Sequence, residues 1–365
     1  MNDVMSIEKN QTTIDIENFN PPTTRFQGSK RKIIPWIYDK IHELEFETVL
    51  DGFAGTGTVS YLFKLMNKTV TFNDIMKSNT NTGISYISNN KITLSKKDLD
   101  FIFLKNGFNY SNTVEEYYGG IYFTKGENIE LDIITKNILM LSEIYKGKTL
   151  EVKRAIAFHC LYQAALSKRP FNLFHRSNLN LRTSDGIKRT FGNKTTWEKS
   201  FWDLFGKFAN EHKDKLLHSN KNNLVLNKDI IDIEKNDFDL VYLDPPYKKT
   251  HEGKIIDYQY FYHFLEGLTN YDLWKDNIDF SRKTRPMITT KNQWKSNLSD
   301  FSTLFEKFNN SIIVVSYWNH GYPTVEEISK ALSQYKKCVE IHQKPHSYAL
   351  SKGNNESNEV LIIGK

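Results

Sequence analysis

The chain has 365 residues, of which 39% are hydrophobic and 25% are charged, a composition that excludes disorder as the main state. No run approaches the roughly 18 apolar residues of a membrane-spanning helix, and the N-terminus lacks the features of a signal peptide. We therefore expect a cytoplasmic protein without a membrane partner. Cys160 and Cys338 are too far apart to suggest a disulfide framework or a CxxC pair, and no metal site is expected.

Positive charge is concentrated in one segment. The whole chain has a net charge of +6, and residues 166–200, with eight basic and two acidic residues, alone carry this excess. Aromatic residues alternate with the basic ones, as on a surface that contacts phosphates and stacks on bases. A solvated basic loop without a ligand would have the same composition, so both interpretations stay open.

The first part of the chain predicts a tail followed by alternating helices and strands. Residues 1–22 are polar and predict a flexible N-terminal tail. From Lys30 the apolar spacing predicts a short helix, and the apolar run before Asp51 predicts a buried strand. A helix that begins near Thr58 and a strand that ends at Asp74 complete a strand–helix–strand unit of the parallel type.

The second part of the chain predicts an insertion and then a return to alternating elements. Residues 95–222 carry helical patterns without strand alternation until their end, which indicates a mainly helical insertion. After Leu224, strands and helices alternate again, and the last two apolar runs predict a hairpin. The fold class is therefore α/β, with residues 23–94 and 223–365 forming one domain around the insertion.

Two glycines follow the first predicted strand. Gly55 and Gly57 expose backbone N–H groups and allow a small ligand to approach. Position 60 is a serine, not the third glycine of a dinucleotide-binding loop, and the phosphate-binding lysine of a P-loop is absent. Asp74 is placed to accept hydrogen bonds from ribose hydroxyls. Together with Asp51 it favours a cationic, phosphate-free adenosine ligand such as S-adenosylmethionine; helix capping by these acids is the alternative.

A second motif, Asp244, Pro245, Pro246 and Tyr247, follows the apolar run LVYL. It therefore lies at the carboxyl end of a buried strand, where ligands bind in open α/β sheets. The prolines fix the backbone and donate no hydrogen bonds, so their carbonyl groups and the Asp244 carboxylate are rigid acceptors. Such a set suits an exocyclic aromatic amine, on whose base Tyr247 can stack. The alternative is an ordinary turn.

The ordered motifs RFQGSK (25–30), VLDGFAGTG (49–57), FNDI (72–75) and LDPPY (243–247) resemble the Dam-like class of N6-adenine DNA methyltransferases, especially those of restriction-modification systems. The likeness covers about residues 23–365. It implies a Rossmann-like, S-adenosylmethionine-dependent methyltransferase sheet, mostly parallel with an antiparallel C-terminal hairpin. It also implies that the insertion is the target recognition domain and that the product is N6-methyladenine in duplex DNA, made on a flipped-out base.

The resemblance also implies roles for individual residues. The positions that it assigns to the cofactor are Phe26, Lys30, Asp51, Gly55, Gly57, Asp74, Asp229 and Asp244. Asp232 competes with Asp229 for contact with the adenine amine of the cofactor. The catalytic positions are Asp244, Pro245, Pro246 and Tyr247. The candidates for DNA contact in the basic segment are Arg169, Arg176, Arg182, Lys188 and Arg189.

Two other classes of function stay open at this point. One is methylation of a chemically equivalent amine, on N4 of cytosine in DNA or on adenine in RNA, although the aspartate before PPY favours adenine by analogy. The other is a DNA-binding module with a vestigial cofactor site, which would bind DNA without S-adenosylmethionine. For the enzyme we expect double-stranded DNA as partner, action as a monomer, and a cognate restriction endonuclease that cuts the same site.

Overall fold

The computed structural model describes residue 16 and residues 19–185, 194–234, 237–288, 293–346 and 357–365. Lys188, Arg189 and most of the predicted N-terminal tail lie outside these ranges. The described end of that tail packs on the fold: Pro21 and Pro22 are buried, and the ring of Phe19 lies 6.0 Å from that of Tyr61. Residues 19–22 therefore pack on the folded body, and the flexibility of the tail stays a prediction.

Seven strands in the described residues form one sheet with the order β3-β2-β1-β4-β5-β7-β6. β1 to β5 pair in parallel, whereas β7 is antiparallel to both β5 and β6. This confirms the mostly parallel sheet with an antiparallel C-terminal hairpin. The strands are β1 (Thr48–Asp51), β2 (Thr69–Asn73), β3 (Leu224–Leu226), β4 (Leu240–Leu243), β5 (Ile312–Trp318), β6 (Val339–Pro345) and β7 (Asn358–Gly364).

Helices cover both faces of the sheet. Val49 of β1 packs with α1 and α2 on one face, and Leu50 packs with α13 and α14 on the other. The helices are α1 (Ile34–Ile41), α2 (Thr58–Leu65), α3 (Lys77–Gly83), α4 (Lys96–Phe103), α5 (Thr113–Tyr118), α6 (Lys125–Leu139), α7 (Gly147–Ser167), α8 (Asn180–Thr183), α9 (Lys194–Glu198), α10 (Phe201–Lys215), α11 (Tyr258–Thr269), α12 (Tyr271–Trp274), α13 (Leu298–Lys307) and α14 (Val325–Leu332). A 3-10 turn, Lys30–Ile33, leads into α1.

The predicted insertion is helical throughout its described part, from α4 to α10. Two of its helices, α6 and α10, pack on α7 together with α3 of the sheet domain, and α7 is buried along most of its length. The same hydrophobic core also contains Phe264 and Trp274 from α11 and α12. The insertion is thus joined to the sheet domain by a shared core, and its assignment as the recognition domain stays a prediction. No helix in the described part of the chain is long and apolar enough to cross a membrane.

Candidate active site

A cleft of about 1350 Å³ lies at the carboxyl ends of β1, β2 and β4. The chain order of the strands reverses between β1 and β4, and such a switch point is where open α/β sheets bind ligands. Most of the residues predicted for the cofactor and for catalysis line this cleft: Phe26, Lys30, Asp51, Gly55, Asp74, Asp229, Asp244, Pro245, Pro246 and Tyr247. Gly57 does not; it precedes α2, and a Cβ there would lie 3.2 Å from Phe72.

Two carboxylates lie at the carboxyl ends of β1 and β2: Asp51 is the last residue of β1, and Asp74 directly follows β2. Asp51 accepts a hydrogen bond from Ser60 Oγ at 2.5 Å, which explains the serine at that position. Asp74 accepts the backbone N–H groups of Gly55 and Met76, each at 2.8 Å, so it fixes the glycine turn. The helix that follows, α3, has no side-chain cap, so Asp74 does not cap it as the alternative interpretation proposed. Burial raises the pKa of Asp51 to about 7 and that of Asp74 to about 6.

Phe26 forms the aromatic wall of the cleft. Its ring stacks between those of Tyr262, at 4.3 Å, and Tyr258, at 5.6 Å. The N–H of Gln27 donates to Tyr262 Oη at 2.8 Å, which fixes the N-terminal segment on α11. Neither tyrosine stands out in the sequence, because a spacing of four residues on a helix is equally typical of core packing.

Lys30 joins Asp244 to a carboxylate that the sequence analysis missed. Its Nζ lies 3.0 Å from Asp244 Oδ1 and 2.7 Å from Glu359 Oε1. The Glu359 side chain is completely buried, whereas that of Asp244 is 27% exposed. The pKa of Asp244 is raised to about 6 by burial, which Lys30 opposes and Glu359 reinforces.

The two proline carbonyls differ in their surroundings. The Pro246 carbonyl accepts a hydrogen bond from Trp294 Nε1 at 3.0 Å, whereas no described residue donates to the Pro245 carbonyl. From the sequence the two carbonyls are equivalent acceptors, whereas the structure favours that of Pro245. The Tyr247 ring lies 5.3 Å from that of Trp318, so an aromatic surface adjoins the acceptors.

Asp229 lies farther along the cleft wall. Its Oδ1 accepts the N–H of Ile231 at 3.1 Å, and its Oδ2 accepts the N–H of Gln293 at 2.6 Å. Asp232 instead accepts hydrogen bonds from the Gln293 side chain and does not line the cleft. The position of Asp229 on the cleft wall favours it over Asp232 for contact with a ligand.

The basic segment is less available to DNA than its composition suggests. Arg169 is only 2% exposed and donates to the carbonyls of Tyr122, Leu173 and Arg176. Burial and these hydrogen bonds argue against DNA contact by Arg169, which stays an untested prediction. Arg182 is largely buried and pairs with Glu127 at 2.6 Å. Arg176 is exposed and stays a candidate, although it does not line the cleft.

Exposed residues on the cleft wall are better placed than Arg169 and Arg182 to contact a polyanion. Exposed lysines line the cleft at four described positions: Lys32, Lys228, Lys249 and Lys295. Phe171, within the basic segment, also lines the cleft and is 39% exposed. Its φ of +61° and that of Asn172, +56°, lie in the left-handed region. Such backbone strain is common where a site presents a side chain to a ligand.

An α/β sheet with an antiparallel end, a cleft at the switch point that Asp51 and Asp74 line, and an Asp-Pro-Pro-Tyr turn are together typical of a methyltransferase that acts on an exocyclic amine. The family model of the D12 class N6 adenine-specific DNA methyltransferases matches residues 26–327. The chain belongs to this family and is an adenine-specific DNA methyltransferase. The resemblance seen in the sequence is thereby confirmed, and adenine in DNA is favoured over the other amines.

Curated relatives have the same character. The chain is 27% identical over 355 residues to "Type II methyltransferase M2.HphI" of Haemophilus parahaemolyticus, an alignment that covers 94% of this chain and 96% of the relative. It is 25% identical over 367 residues to "Modification methylase StsI" of Streptococcus sanguinis, covering 93% and 51%. It is 26% identical over 373 residues to "Type II methyltransferase M.FokI" of Planomicrobium okeanokoites, covering 92% and 51%. The chain thus spans about half the length of the last two.

Proposed function

We propose that the chain transfers the methyl group of S-adenosylmethionine to N6 of an adenine that has left the DNA helix. The observation that carries this proposal is the meeting of Asp51, Asp74 and Asp244 in one cleft with the Pro245 carbonyl. The first two carboxylates suit a cationic adenosine ligand, and the other two groups suit an amine. Both halves of the reaction therefore have acceptors within a single cavity.

The residues present fit S-adenosylmethionine. Burial disfavours the charged forms of Asp51 and Asp74, and a bound cation would offset this cost. Asp51 would hold the methionine end, Asp74 the ribose and Asp229 the adenine, with Phe26 against the sulfonium side. When bound, the cofactor supplies an electrophilic methyl group on its positive sulfur.

Asp244 and Pro245 would bind the target amine. The Oδ1 atom of Asp244 faces Lys30, and no described residue donates to its Oδ2. Oδ2 and the Pro245 carbonyl can therefore accept the two hydrogens of an adenine N6 while Tyr247 stacks on the ring. Accepting both hydrogens would return electron density to the nitrogen and would make it a better nucleophile toward an electrophilic methyl group. The Asp244 carboxylate is then placed to take the proton that the amine loses.

DNA would lie over the open side of the cleft. Flipping the adenine costs a few kcal/mol, which contacts between cationic side chains and phosphates must offset. The rim lysines, Lys32, Lys228, Lys249 and Lys295, and the exposed Arg176 are the described candidates, and Phe171 can stack on a base. Lys188 and Arg189 remain candidates from the sequence alone.

The biological role proposed here is modification in a restriction-modification system. The similarity to a type II methyltransferase over nearly the whole length of both chains supports it. The proposal includes a cognate restriction endonuclease that recognises the same DNA sequence. It also includes action as a monomer in the cytoplasm.

The test is methylation of unmodified genomic DNA by the purified protein with S-adenosylmethionine, followed by single-molecule sequencing. N6-methyladenine within one recurring sequence is the expected result. Methylated cytosine, or DNA binding without any methylation, would overturn the proposal. The Asp244→Ala variant serves as the matched control for contaminating activity.

A further inference from the structure

Glu359 is a completely buried carboxylate beside the site, and the proposed chemistry does not use it. It lies on β7, opposite Trp318 of β5. Its Oε1 is 2.7 Å from Lys30 Nζ and accepts a hydrogen bond from Ser316 Oγ at 2.5 Å. A buried carboxylate is costly unless it is paired. A hydrophobic residue would pack in β7 without this cost, so packing alone does not explain a carboxylate at this position.

The geometry supplies that reason through Lys30. The ammonium group bridges Glu359 and Asp244 at 2.7 and 3.0 Å, and its side chain is 7% exposed. A single buried ion pair between Lys30 and Asp244 would be neutral and would weaken Asp244 as an acceptor. With Glu359 present, Lys30, Asp244 and Glu359 together carry one net negative charge. Asp244, which faces the cleft, therefore keeps part of its negative charge.

We propose that Glu359 is a positioning residue for methyl transfer: it anchors Lys30 so that Lys30 orients Asp244 without neutralising it. This inference rests on the proposed role of Asp244 as the acceptor of the target amine. Glu359 itself touches neither substrate nor cofactor in this account. The class of ligand it serves, through Asp244, is an exocyclic aromatic amine.

The signs of the two interactions give the proposal a distinctive pH dependence. Lys30 lowers the pKa of Asp244, and Glu359 raises it. Removal of Glu359 should therefore move the acid limb of the rate profile to lower pH, and removal of Lys30 should move it to higher pH. Other titratable groups also face this cluster, from several elements, and both variants retain all of these residues. They are Asp51, Tyr242, Tyr247, Tyr258 and His346.

The experiment measures single-turnover methylation of duplex DNA from pH 5 to 9 for the wild type, Glu359→Gln and Lys30→Met. The rate constant of Glu359→Gln should fall by at least about tenfold at pH 8, since a weaker acceptor stabilises the transition state less. The affinity for S-adenosylmethionine should change by less than about threefold. Asp98→Asn is the matched control, because Asp98 forms a buried ion pair with Lys153 in the insertion; it should lower Tm without moving the acid limb.

Two results would overturn the proposal: a folded Glu359→Gln variant with wild-type rate and profile, or acid limbs that move in the same direction in both variants. If Glu359→Gln does not fold, Lys30→Met decides, since an unmoved acid limb there excludes the proposed coupling. Failure of the proposed function is recognised separately, because the wild type would then not methylate adenine or Asp244→Ala would remain active.

Discussion

The indole Nε1 of Trp294 donates a hydrogen bond to the carbonyl of Pro246. Trp294 is buried between Phe53 and Phe301, with ring centroids 5.1 and 4.9 Å away. A rigid aromatic cluster thus holds the second proline, and with it the direction of the Pro245 carbonyl. The Asp-Pro-Pro-Tyr turn is therefore fixed both by the hydrogen bond from Trp294 and by the rings of its two prolines.

Trp294→Phe should show whether Trp294 orients the Pro245 carbonyl or only packs in the core. The ring volume is largely kept, so a stability loss of about 1–2 kcal/mol is expected for the lost hydrogen bond and the smaller ring. The rate constant for methylation should fall by roughly tenfold, because the acceptor is less well placed, while the cofactor KM stays close to wild type. A drop in stability with an unchanged rate constant would leave Trp294 as a core residue only.

Asp244→Ala removes the proposed acceptor of the target amine. Methylation should fall by several orders of magnitude, whereas S-adenosylmethionine affinity should fall much less. Single-turnover rates and equilibrium titration of the cofactor measure the two effects separately. Near-normal turnover by this variant would exclude Asp244 from the chemistry.

Asp74→Ala should have the opposite pattern. Loss of a charged hydrogen bond to the ribose costs about 1–3 kcal/mol, so the cofactor KM should rise by roughly 5- to 150-fold. The structure adds an expectation, because Gly55 and Met76 also lose their acceptor and Tm should fall. Asp232→Ala, outside the cleft, is the control. A lower Tm with an unchanged cofactor KM would show that Asp74 only caps the turn.

Asp51 gives cofactor binding a pH dependence. Its pKa of about 7 is set mainly by burial, with the charges of Asp244 and Asp74 adding to it. Below that pH the group is neutral, and above it the carboxylate attracts a cation. The Kd for S-adenosylmethionine should therefore fall as the pH rises from 6 to 8, and proton release should accompany binding in calorimetry at the lower pH. Asp51→Asn should remove this part of the dependence; an unchanged Kd profile would contradict the assignment.

Sequence patterns predicted the features that depend on residues close together in the chain. β1 ends at Asp51, and Asp74 and Asp244 directly follow β2 and β4. Because each acid comes at the end of a short run of strand-forming residues, the sheet and its carboxyl edge could be predicted. Parallel strands bring those ends together whatever lies between them in the chain. The cleft was therefore foreseeable from three separate motifs.

The parts that sequence analysis missed depend on long-range contacts or on burial. Glu359 and Trp294 reach the site from elements distant in the chain, and nothing local distinguishes them from an ordinary strand acid and a core indole. Counting charges also cannot show that Arg169 is buried against backbone carbonyls, or that Glu127 pairs with Arg182. Composition gave the correct sum of charges but not their accessibility.

The structure therefore redistributes the predicted DNA contacts, and salt dependence can test the result. Each phosphate contact that is lost should weaken binding about equally for cognate and non-cognate duplexes and should lower the slope of log K against log salt by roughly one unit. Arg176→Gln and Lys249→Gln replace exposed charges and should show this effect without a change in Tm. Lys188→Gln applies the same test of phosphate contact to Lys188, which lies outside the described ranges.

Arg169→Gln is the matched control for these substitutions, because its buried guanidinium serves three backbone carbonyls. Burial also lowers its pKa to about 9, as expected of a charge far from solvent. Loss of this group leaves buried acceptors unpaired, so Tm should drop clearly, while the salt slope of the folded fraction stays at the wild-type value. A reduced salt slope in Arg169→Gln at unchanged Tm would return Arg169 to the DNA surface, and unchanged slopes in Arg176→Gln and Lys249→Gln would place the phosphate contacts on other residues.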